Sequence, residues 1–484
     1  MPPALARLLP AALPVLFPVL LALGVAAQTV PPRSLFRPQQ VRPLPGGLDR
    51  LLVVNDNNPE LIVQPGILLS TFNGNAELGG QRFTVPAAHL NIPLQGNFEL
   101  FSHHVYAGRP EQLDSTLWLG VLAAPNGAKP VRLRLISGST ALSQSTDPAQ
   151  PAAPFLPLPA VVAHDGTTAF SGPGSRVAAE LLLKLRSPLL PAQWQLPTGQ
   201  LTTLVALPIP VKGLDPLLNG RNLQLRLESD GPVQLATLAA FGGDQPPAAS
   251  TWASLLRGGL SPKEHSPTPR GQKGGIVYSR VSGVQQGSRW RGQLTDPCPR
   301  QACVPQLSVR SAPVSWPISS LERGSLGTGQ VQTAELTAAY PGTAWAAHGN
   351  YGVEYDLRIP LVNDTARPAA LELAIESPRK GDRTEGGLSF NAEPARPVMF
   401  RGTVEVTGLD GEGLRPSGRR WFHLVLRQGQ QGPALGRISL EPGQRRQVRV
   451  RLVYPADATP PQVLTLLPAS PAVKQSDFVP APRP

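Results

Sequence analysis

Apolar and polar residues alternate along several stretches of this chain, which is the pattern of β-strands that bury one face. Residues 117–121 and 131–135 alternate on either side of a turn. Residues 351–361 and 371–375 repeat the same arrangement far downstream. The pattern predicts an antiparallel strand pair in each half of the chain.

A second feature also occurs twice, a Gly-Gln turn that leads into a long alternating strand. It covers residues 199–208 and returns over residues 443–455. The Gly-Gln turns lie 244 residues apart, and the hairpin turns at Asn126 and Asn363 lie 237 apart. These similar offsets indicate a tandem duplication, although unrelated β-sandwiches share such an order of strands and turns. The pattern predicts two immunoglobulin-like β-sandwich domains.

One short helix is predicted between the two halves. Ser250 or Thr251 is its N-cap, and the glycine pair that begins at Gly258 ends it. A Pro-rich stretch follows, which is typical of an extended linker. The expected segments are a loose Pro-rich arm (28–50), a first sandwich (51–245), the helix and linker (246–274), a second sandwich (275–469) and a loose Pro-rich tail (470–484).

The composition favours an all-β fold. The chain has 484 residues, 57 of them proline and 47 glycine, and only 16% are charged. Proline removes a backbone donor and clashes with the preceding helical turn, so proline at this density excludes long helices. We therefore expect short strands joined by many turns, with helix below about 10%.

The first 27 residues have the layout of a secretory signal peptide. Arg7 supplies the positive charge, an apolar run covers residues 8–25, and small residues precede Gln28. The prolines within the run disfavour a membrane-spanning helix, and no later apolar stretch approaches the ~18 residues that a span requires. The mature chain is predicted to be exported, to the periplasm, the outer surface or the medium.

Two small groups of residues are candidates for covalent or ligand chemistry. Cys298 and Cys303 are expected to form a disulfide that closes a short loop, because a lone pair of cysteines is a poor zinc site. His103, His104 and His348 lie in similar Gly-Asn-aromatic surroundings. They indicate either a metal or ligand site where the halves meet, or histidines that bond to turn backbone. Adjacent histidines on a strand point to opposite faces, so only one of the pair could enter a given site.

Positive charge suggests a binding surface in the C-terminal half. The net charge is +12, and the best cluster consists of Arg445, Arg446, Arg449 and Arg451. Arg449 and Arg451 share the outer face of one strand about 7 Å apart, a spacing that suits an anionic glycan. The alternative is a solvated strand face whose arginines pair with acids on neighbouring strands. A free surface predicts that replacing Arg449 and Arg451 by Glu abolishes binding and leaves folding nearly intact.

Particular phrases in both halves are similar to those of one known family. They are QPGILLSTF (64–72), FELFSHH (98–104), LPIPVKG (207–213), GSLGTGQVQ (324–332), HGNYG (348–352), FRGTV (400–404) and YPADATPPQVL (454–464). On these phrases the chain resembles the exported cyanobacterial family catalogued as domain of unknown function 3370, from about residue 44 to residue 467. The stretch between the two cysteines departs from the family. The resemblance implies an envelope or secreted protein and carries no activity with it.

The sequence contains no recognisable catalytic motif. Hydrolase elbows, nucleotide-binding loops and zinc-protease motifs are absent, and Asn55 to Asn58 reads as an Asx-rich turn rather than a calcium loop. We expect a non-catalytic exported protein of the envelope, a scaffold, an adhesin or a binder of an anionic polysaccharide or other polymer. The alternative is an exported carbohydrate-active enzyme of the glycoside hydrolase type, whose paired acids the sequence does not identify. No cofactor, metal or nucleic acid is expected.

Overall fold

The computed structural model describes a chain that is almost entirely β. The described residues are 33–108, 115–153, 156, 172–272, 274–298 and 304–469. Strands make up 48% of the structure and helices 7%, which confirms the all-β class and the low helix content. The predicted signal peptide, the C-terminal tail and Cys303 lie outside the described residues. Within the described part, no helix has the length and apolar character needed to cross a membrane.

Among the described residues, thirteen strands and two helices precede the centre of the chain. They are β1 (Ser34–Pro38), β2 (Gln40–Val41), β3 (Gly47–Leu48), β4 (Leu52–Leu61), β5 (Gly66–Ser70), β6 (Glu77–Leu78), β7 (Gln81–Arg82), β8 (Leu94–Ala107), β9 (Thr116–Pro125), β10 (Val131–Leu142), α1 (Pro173–Leu182), β11 (Gln193–Leu196), β12 (Thr202–Pro210), β13 (Leu218–Gly242) and α2 (Ala249–Arg257).

Thirteen strands follow in the described part of the second half. They are β14 (Val281–Gln286), β15 (Arg289–Gln293), β16 (Leu307–Ser308), β17 (Val314–Ile318), β18 (Leu336–Ala339), β19 (Glu354–Val362), β20 (Ala369–Glu376), β21 (Gly387–Asn391), β22 (Val398–Thr407), β23 (Arg420–Arg427), β24 (Ala434–Leu440), β25 (Arg445–Val453) and β26 (Gln462–Pro468). Short 3-10 helices lie at Pro86–Ala88, Val309–Ser311, Trp345–Ala347 and Glu412–Leu414.

The long strand β13 organises the first sandwich because it belongs to both of its layers. Its first part pairs with β8 and β10, and after a break in register between Ser229 and Val233 its second part pairs with β9 and β5. One layer therefore has the order β11-β10-β13-β8-β4-β14-β18, and β12, β9 and β5 complete the other. The outer face of β9 is covered by α2. A Cβ at Gly120 would lie 2.8 Å from the Trp252 ring, so this packing requires glycine.

The second sandwich packs a seven-stranded sheet against a five-stranded one. The first has the order β23-β22-β25-β19-β15-β3, with β16 beside β19, and the second has the order β2-β17-β26-β20-β24. Large side chains such as Trp316, Tyr355 and Phe400 are fully buried between them. The inner positions of β19 and β25 are apolar, so their outer positions carry the polar residues that form the site described below.

The structure corrects the two predicted strand pairs. The strands themselves are present, but β9 does not pair with β10, and β19 does not pair with β20. In each case the turn carries the chain from one layer of its sandwich to the other. β9 instead pairs with β12 and β10 with β11, while β19 pairs with β25 and β20 with β24.

The pairing pattern of the first sandwich recurs in the second. The pairing of β9 with β12 corresponds to that of β19 with β25. The pairing of β10 with β11 corresponds to that of β20 with β24. Both sandwiches also place a parallel strand at the same position, β4 beside β8 and β2 beside β17. This recurrence is what a duplicated unit would produce and supports the tandem duplication indicated by the sequence offsets.

The chain passes between the two sandwiches more often than the sequence indicates. β14 and β18, which lie beyond residue 275, extend a sheet of the first sandwich. In the other direction, β1 pairs with β21, β2 with β17 and β3 with β15. The expectation of a loose arm over residues 28–50 is therefore corrected for residues 34–48. Pro38 ends β1, and Pro43 and Pro45 lie between β2 and β3, positions where a missing donor is tolerated.

Helix α2 lies where the sequence predicted a helix, and α1 was not predicted. The N-cap of α2 is Ala248, not Ser250 or Thr251, and Gly258 is its C-cap as expected. Nearly every residue of α1 is buried, so the helix packs between other elements and is not a surface helix. Asp457 of the second sandwich accepts hydrogen bonds from the backbone N–H groups of Gly174 and Ser175 at the start of α1.

Candidate functional site: an arginine groove

The outer face of the seven-stranded sheet carries a groove of about 840 Å³. Alternation along β15, β19 and β25 directs charged side chains to this face. Lys184, just after α1, and Arg419, just before β23, add two more. We call it the arginine groove. Seven cationic side chains line it, Lys184, Arg289, Arg291, Arg358, Arg419, Arg449 and Arg451. Among the described residues, the acids that line it are Glu354 and Asp356, so five positive charges are in excess.

The arginines singled out by the sequence are largely paired with acids. Arg449 donates to both carboxylate oxygens of Asp356 at 2.6 and 2.7 Å. Arg451 donates to Glu354 at 2.7 Å and to Glu405 at 2.9 Å. Both lie on the outer face, as expected. Each forms ion pairs with acids on neighbouring strands, which the sequence analysis gave as the alternative. The prediction that their replacement by Glu leaves folding intact is therefore withdrawn.

The other two arginines of the predicted cluster lie outside the groove. Arg446 is buried and forms an ion pair with Asp410. Arg445 is exposed at the start of β25. Neither lines the groove, so the four arginines do not form one surface.

The groove contains a second set of cations that the sequence analysis did not identify. Lys184, Arg291, Arg358 and Arg419 are exposed, and no described residue forms an ion pair or hydrogen bond with their side chains. Arg358 lies directly across from Arg449 on the neighbouring strand. Like charges in that position repel each other unless an anion lies between them. The alternation of Arg289 and Arg291 around Trp290 was the available sequence signal for this face.

Glu354 connects the groove to the first sandwich. Its carboxylate contacts Arg289 at 3.0 Å and also Arg226 of β13 at 3.1 Å. Arg226 lies 3.2 Å from Glu99, and Gln224 donates to Glu99 and to the backbone oxygen of Gly352. We call these contacts the seam network.

In the seam network the pKa values of Glu354 and Glu99 are shifted in opposite directions. Burial alone would raise the pKa of Glu354, but Arg226, Arg451 and Arg289 outweigh it and lower that pKa to about 2. At Glu99 burial is the larger effect and raises the pKa despite Arg226. Burial would also raise the pKa of Asp356, but Arg449 outweighs it and lowers that value. Both acids that line the groove are thus held in the charged form.

We expect acid to weaken the folded state through Glu354. Because its folded pKa is about 2 and its usual value is 4.5, its contribution is present above pH 4.5 and is lost as the pH falls through 2. Between about pH 6 and about pH 2.5, the free energy of unfolding measured in urea should fall by roughly 2–3 kcal/mol more for the wild type than for Glu354→Gln. Equal losses in the two proteins would contradict the lowered pKa.

The three candidate histidines do not form a common site in the structure. His104 and Asp56 are fully buried and 2.9 Å apart. His348 is buried, and its Nε2 donates to the backbone oxygen of Ala334 at 2.8 Å. Burial, and then the neighbouring His104, lower the pKa of His103 to about 3. Burial lowers the pKa of His348 to about 4. The described residues include no group of three or more side chains placed to hold a metal ion.

The predicted disulfide stays a prediction. Cys298 lies at the edge of the described segment, whereas its expected partner Cys303 lies outside the described residues. Cys298 does not line the arginine groove.

The fold and the groove define a protein of two β-sandwiches with a cationic surface groove. The chain belongs to the family described as protein of unknown function (DUF3370), whose model matches residues 39–468. This confirms the resemblance noted in the sequence. The match covers both sandwiches and every residue that lines the arginine groove. A search of curated proteins found no match.

Proposed function

We propose that this protein is a non-catalytic, exported protein of the cell envelope that binds an anionic polymer or glycan in the arginine groove. The export part of the proposal rests on the signal-peptide pattern of residues 1–27. The binding part rests on one observation, the excess of five positive charges in an open groove. Guanidinium groups form paired hydrogen bonds with carboxylates and sulfate-like groups, so a polymer with repeated anionic groups would satisfy several of them together.

The pattern of paired and unpaired arginines suggests how the polymer would bind. Arg449 and Arg451 are held in place by acids, and they give the groove a fixed base. Arg291 and Arg358 project beside them without partners and are available to the ligand. Opposite positions on paired strands lie about 5 Å apart and alternate positions on one strand about 7 Å apart. A chain lying along or across the strands would meet a cation at each of these steps.

The alternative function is an exported glycoside hydrolase, and the seam network is the observation that bears on it. Such enzymes pair an acid of raised pKa with a second carboxylate across a cleft. Glu99 has a raised pKa and Glu354 a lowered one, and both contact Arg226. Glu99, however, does not line the groove, and the two acids that do are held charged. No described residue of the groove could therefore donate the proton, which favours binding.

A binding assay with two matched variants tests the proposal. The probe is fluorescein-labelled polygalacturonate, followed by fluorescence anisotropy, with uncharged dextran as the negative control. Removing Arg291 and Arg358 together by substitution with Ser should weaken binding at least about tenfold, because each lost charged hydrogen bond costs about 1.5 kcal/mol. The control is the double variant Arg367→Ser and Arg383→Ser, which removes two exposed arginines of the same sandwich away from the groove.

The expected pattern also includes salt dependence and unchanged stability. Binding to wild type should weaken strongly between about 50 mM and about 500 mM NaCl because exposed charges are screened. The groove variant should fold as well as wild type, since Arg358 lies opposite Arg449 and its removal relieves a repulsion. Equal binding by the groove variant and its control would contradict the assignment of the groove. Release of reducing sugars from polygalacturonate by wild type would favour the enzyme instead.

A further inference from the structure

A second cavity lies at the junction of the linker with the first sandwich, and it shares no lining residue with the groove. It has a volume of about 220 Å³. Its walls come from β5, from the segment after α2, from the start of β14 and from the loop after β18. We call it the linker pocket. The residues that matter for its chemistry are Leu68, Leu260, Pro262, Lys263, Arg280 and Pro341.

A buried arginine forms one wall of the linker pocket. Arg280 is only 4% exposed. It donates to the backbone oxygens of Ser261 at 2.8 Å and Pro262 at 3.1 Å. A guanidinium has five N–H donors, so three remain without a partner among the described residues. A buried cation with unused donors is costly, and a ligand that supplied acceptors would lower that cost.

The nearest carboxylates do not satisfy Arg280. Asp56 and Glu60 influence its pKa through their charge, although burial has the larger effect and lowers that pKa. Asp56 accepts its hydrogen bonds from His104 and Thr237 instead, with a longer contact from Ser282 at 3.4 Å. Glu60 accepts from the backbone N–H groups of residues 264 and 265 and from the His265 ring.

The remaining polar groups of the pocket also favour an anionic ligand. Ser282 and Thr343 donate their hydroxyls to backbone oxygens. Tyr340 donates to the oxygen of Ala88 and accepts from the N–H of Ser70. Lys263 is exposed and adds a second cation. The donors still unused are therefore cationic, and the rest of the wall is apolar.

We propose that the linker pocket binds a small organic molecule with a carboxylate head and an apolar body. The carboxylate accepts from Arg280, and the apolar body packs against Leu68, Pro262 and Pro341. The volume is equivalent to roughly seven water molecules of about 30 Å³ each and lies below the usual range for drug-sized ligands. A ligand the size of benzoate is small enough for this volume. This site is independent of the arginine groove, so either proposal can fail alone.

Fluorine NMR of the mature protein with para-fluorobenzoate tests the proposal, with para-fluorobenzamide as the neutral analogue. Wild type should bind the acid at least about tenfold more tightly than the amide, because a charged hydrogen bond is worth about 1.5 kcal/mol or more. Leu260→Trp should block the pocket and abolish binding while Arg280 stays intact. The matched control is Leu185→Trp, since Leu185 is 42% exposed and Leu260 40% exposed.

A second variant separates charge from shape. Arg280→Gln should reduce acid binding at least about tenfold and leave amide binding nearly unchanged. Because Arg280→Gln removes contacts to the linker, its folding is checked by circular dichroism, and Leu260→Trp keeps the proposal testable if it unfolds. Equal binding of acid and amide, unchanged binding by Leu260→Trp, or no binding of para-fluorobenzoate to wild type would each overturn the proposal.

Discussion

Glu354→Ala is expected to lower the free energy of unfolding by about 3–5 kcal/mol, because it breaks a buried ion network by removing its central acid. The Glu354 side chain is 2% exposed and contacts Arg226, Arg289 and Arg451. Arg226 keeps Glu99, 3.2 Å away, but Arg289 loses its acid. Chemical denaturation of the two proteins at neutral pH measures the difference.

The control for this prediction is a surface ion pair of the same chemistry. Glu228 pairs with Arg134, but their side chains are 41% and 58% exposed. Glu228→Ala should therefore cost at most about 1 kcal/mol. A loss of that small size for Glu354→Ala would mean that the seam network does not hold the sandwiches together.

The sequence predicted the strands of this fold well but not their partners. The alternation around Leu119 and Leu133 identified β9 and β10 correctly, because burial of one face depends on local spacing alone. Pairing depends on which strands become neighbours in the folded chain. Here β13, from residue 218 onwards, pairs with both β9 and β10. The turn after β9 has the composition of a hairpin, although it crosses between layers. Local sequence does not distinguish these two uses of a turn.

The candidate site was predicted in part for the same reason. Alternation placed Arg449 and Arg451 on the outer face, and it also placed Glu354, Asp356 and Arg358 on the outer face of their own strand. Only the pairing of β19 with β25 reveals that Glu354 and Asp356 pair with Arg451 and Arg449, whereas Arg358 lies opposite Arg449. The exposed cations of the groove come from four separate parts of the chain, which no local pattern connects.

Buried polar residues are the second kind of feature that the sequence did not predict. Asn55 to Asn58 has the composition of a turn but lies within β4, where Asp56 is completely buried. Asp is depleted in strands unless a partner satisfies it. Here the partners are His104, Thr237 and Ser282, which are 48 to 226 residues away in sequence. Composition therefore indicated a turn where distant hydrogen bonds permit a strand.

Asp56→Ala is expected to destabilise the first sandwich by about 3–5 kcal/mol, because it leaves buried donors without their acceptor. The carboxylate accepts from His104 at 2.9 Å, Thr237 at 2.6 Å and Ser282 at 3.4 Å. These donors lie on β8, β13 and β14, and the part of β13 that holds Thr237 belongs to the opposite layer. Asp56 thus links both layers of the sandwich, and its loss affects four strands. Urea unfolding, with exposed Asp244→Ala as a control expected to change stability by about 0.5 kcal/mol or less, measures the effect.

A double-mutant cycle distinguishes this network from simple loss of volume. If the contact between His104 and Asp56 carries a large share of the effect, His104→Ala should cost at least about 1 kcal/mol less in the Asp56→Ala background than in wild type. Thr237→Val, which removes a hydrogen bond of 2.6 Å to Asp56, should likewise cost less in the Asp56→Ala background than in wild type. Additive losses for both pairs of substitutions would mean that Asp56 does not organise these strands. His104 is fully buried in either case, so the outcome decides its hydrogen-bonding role and not its place in the core.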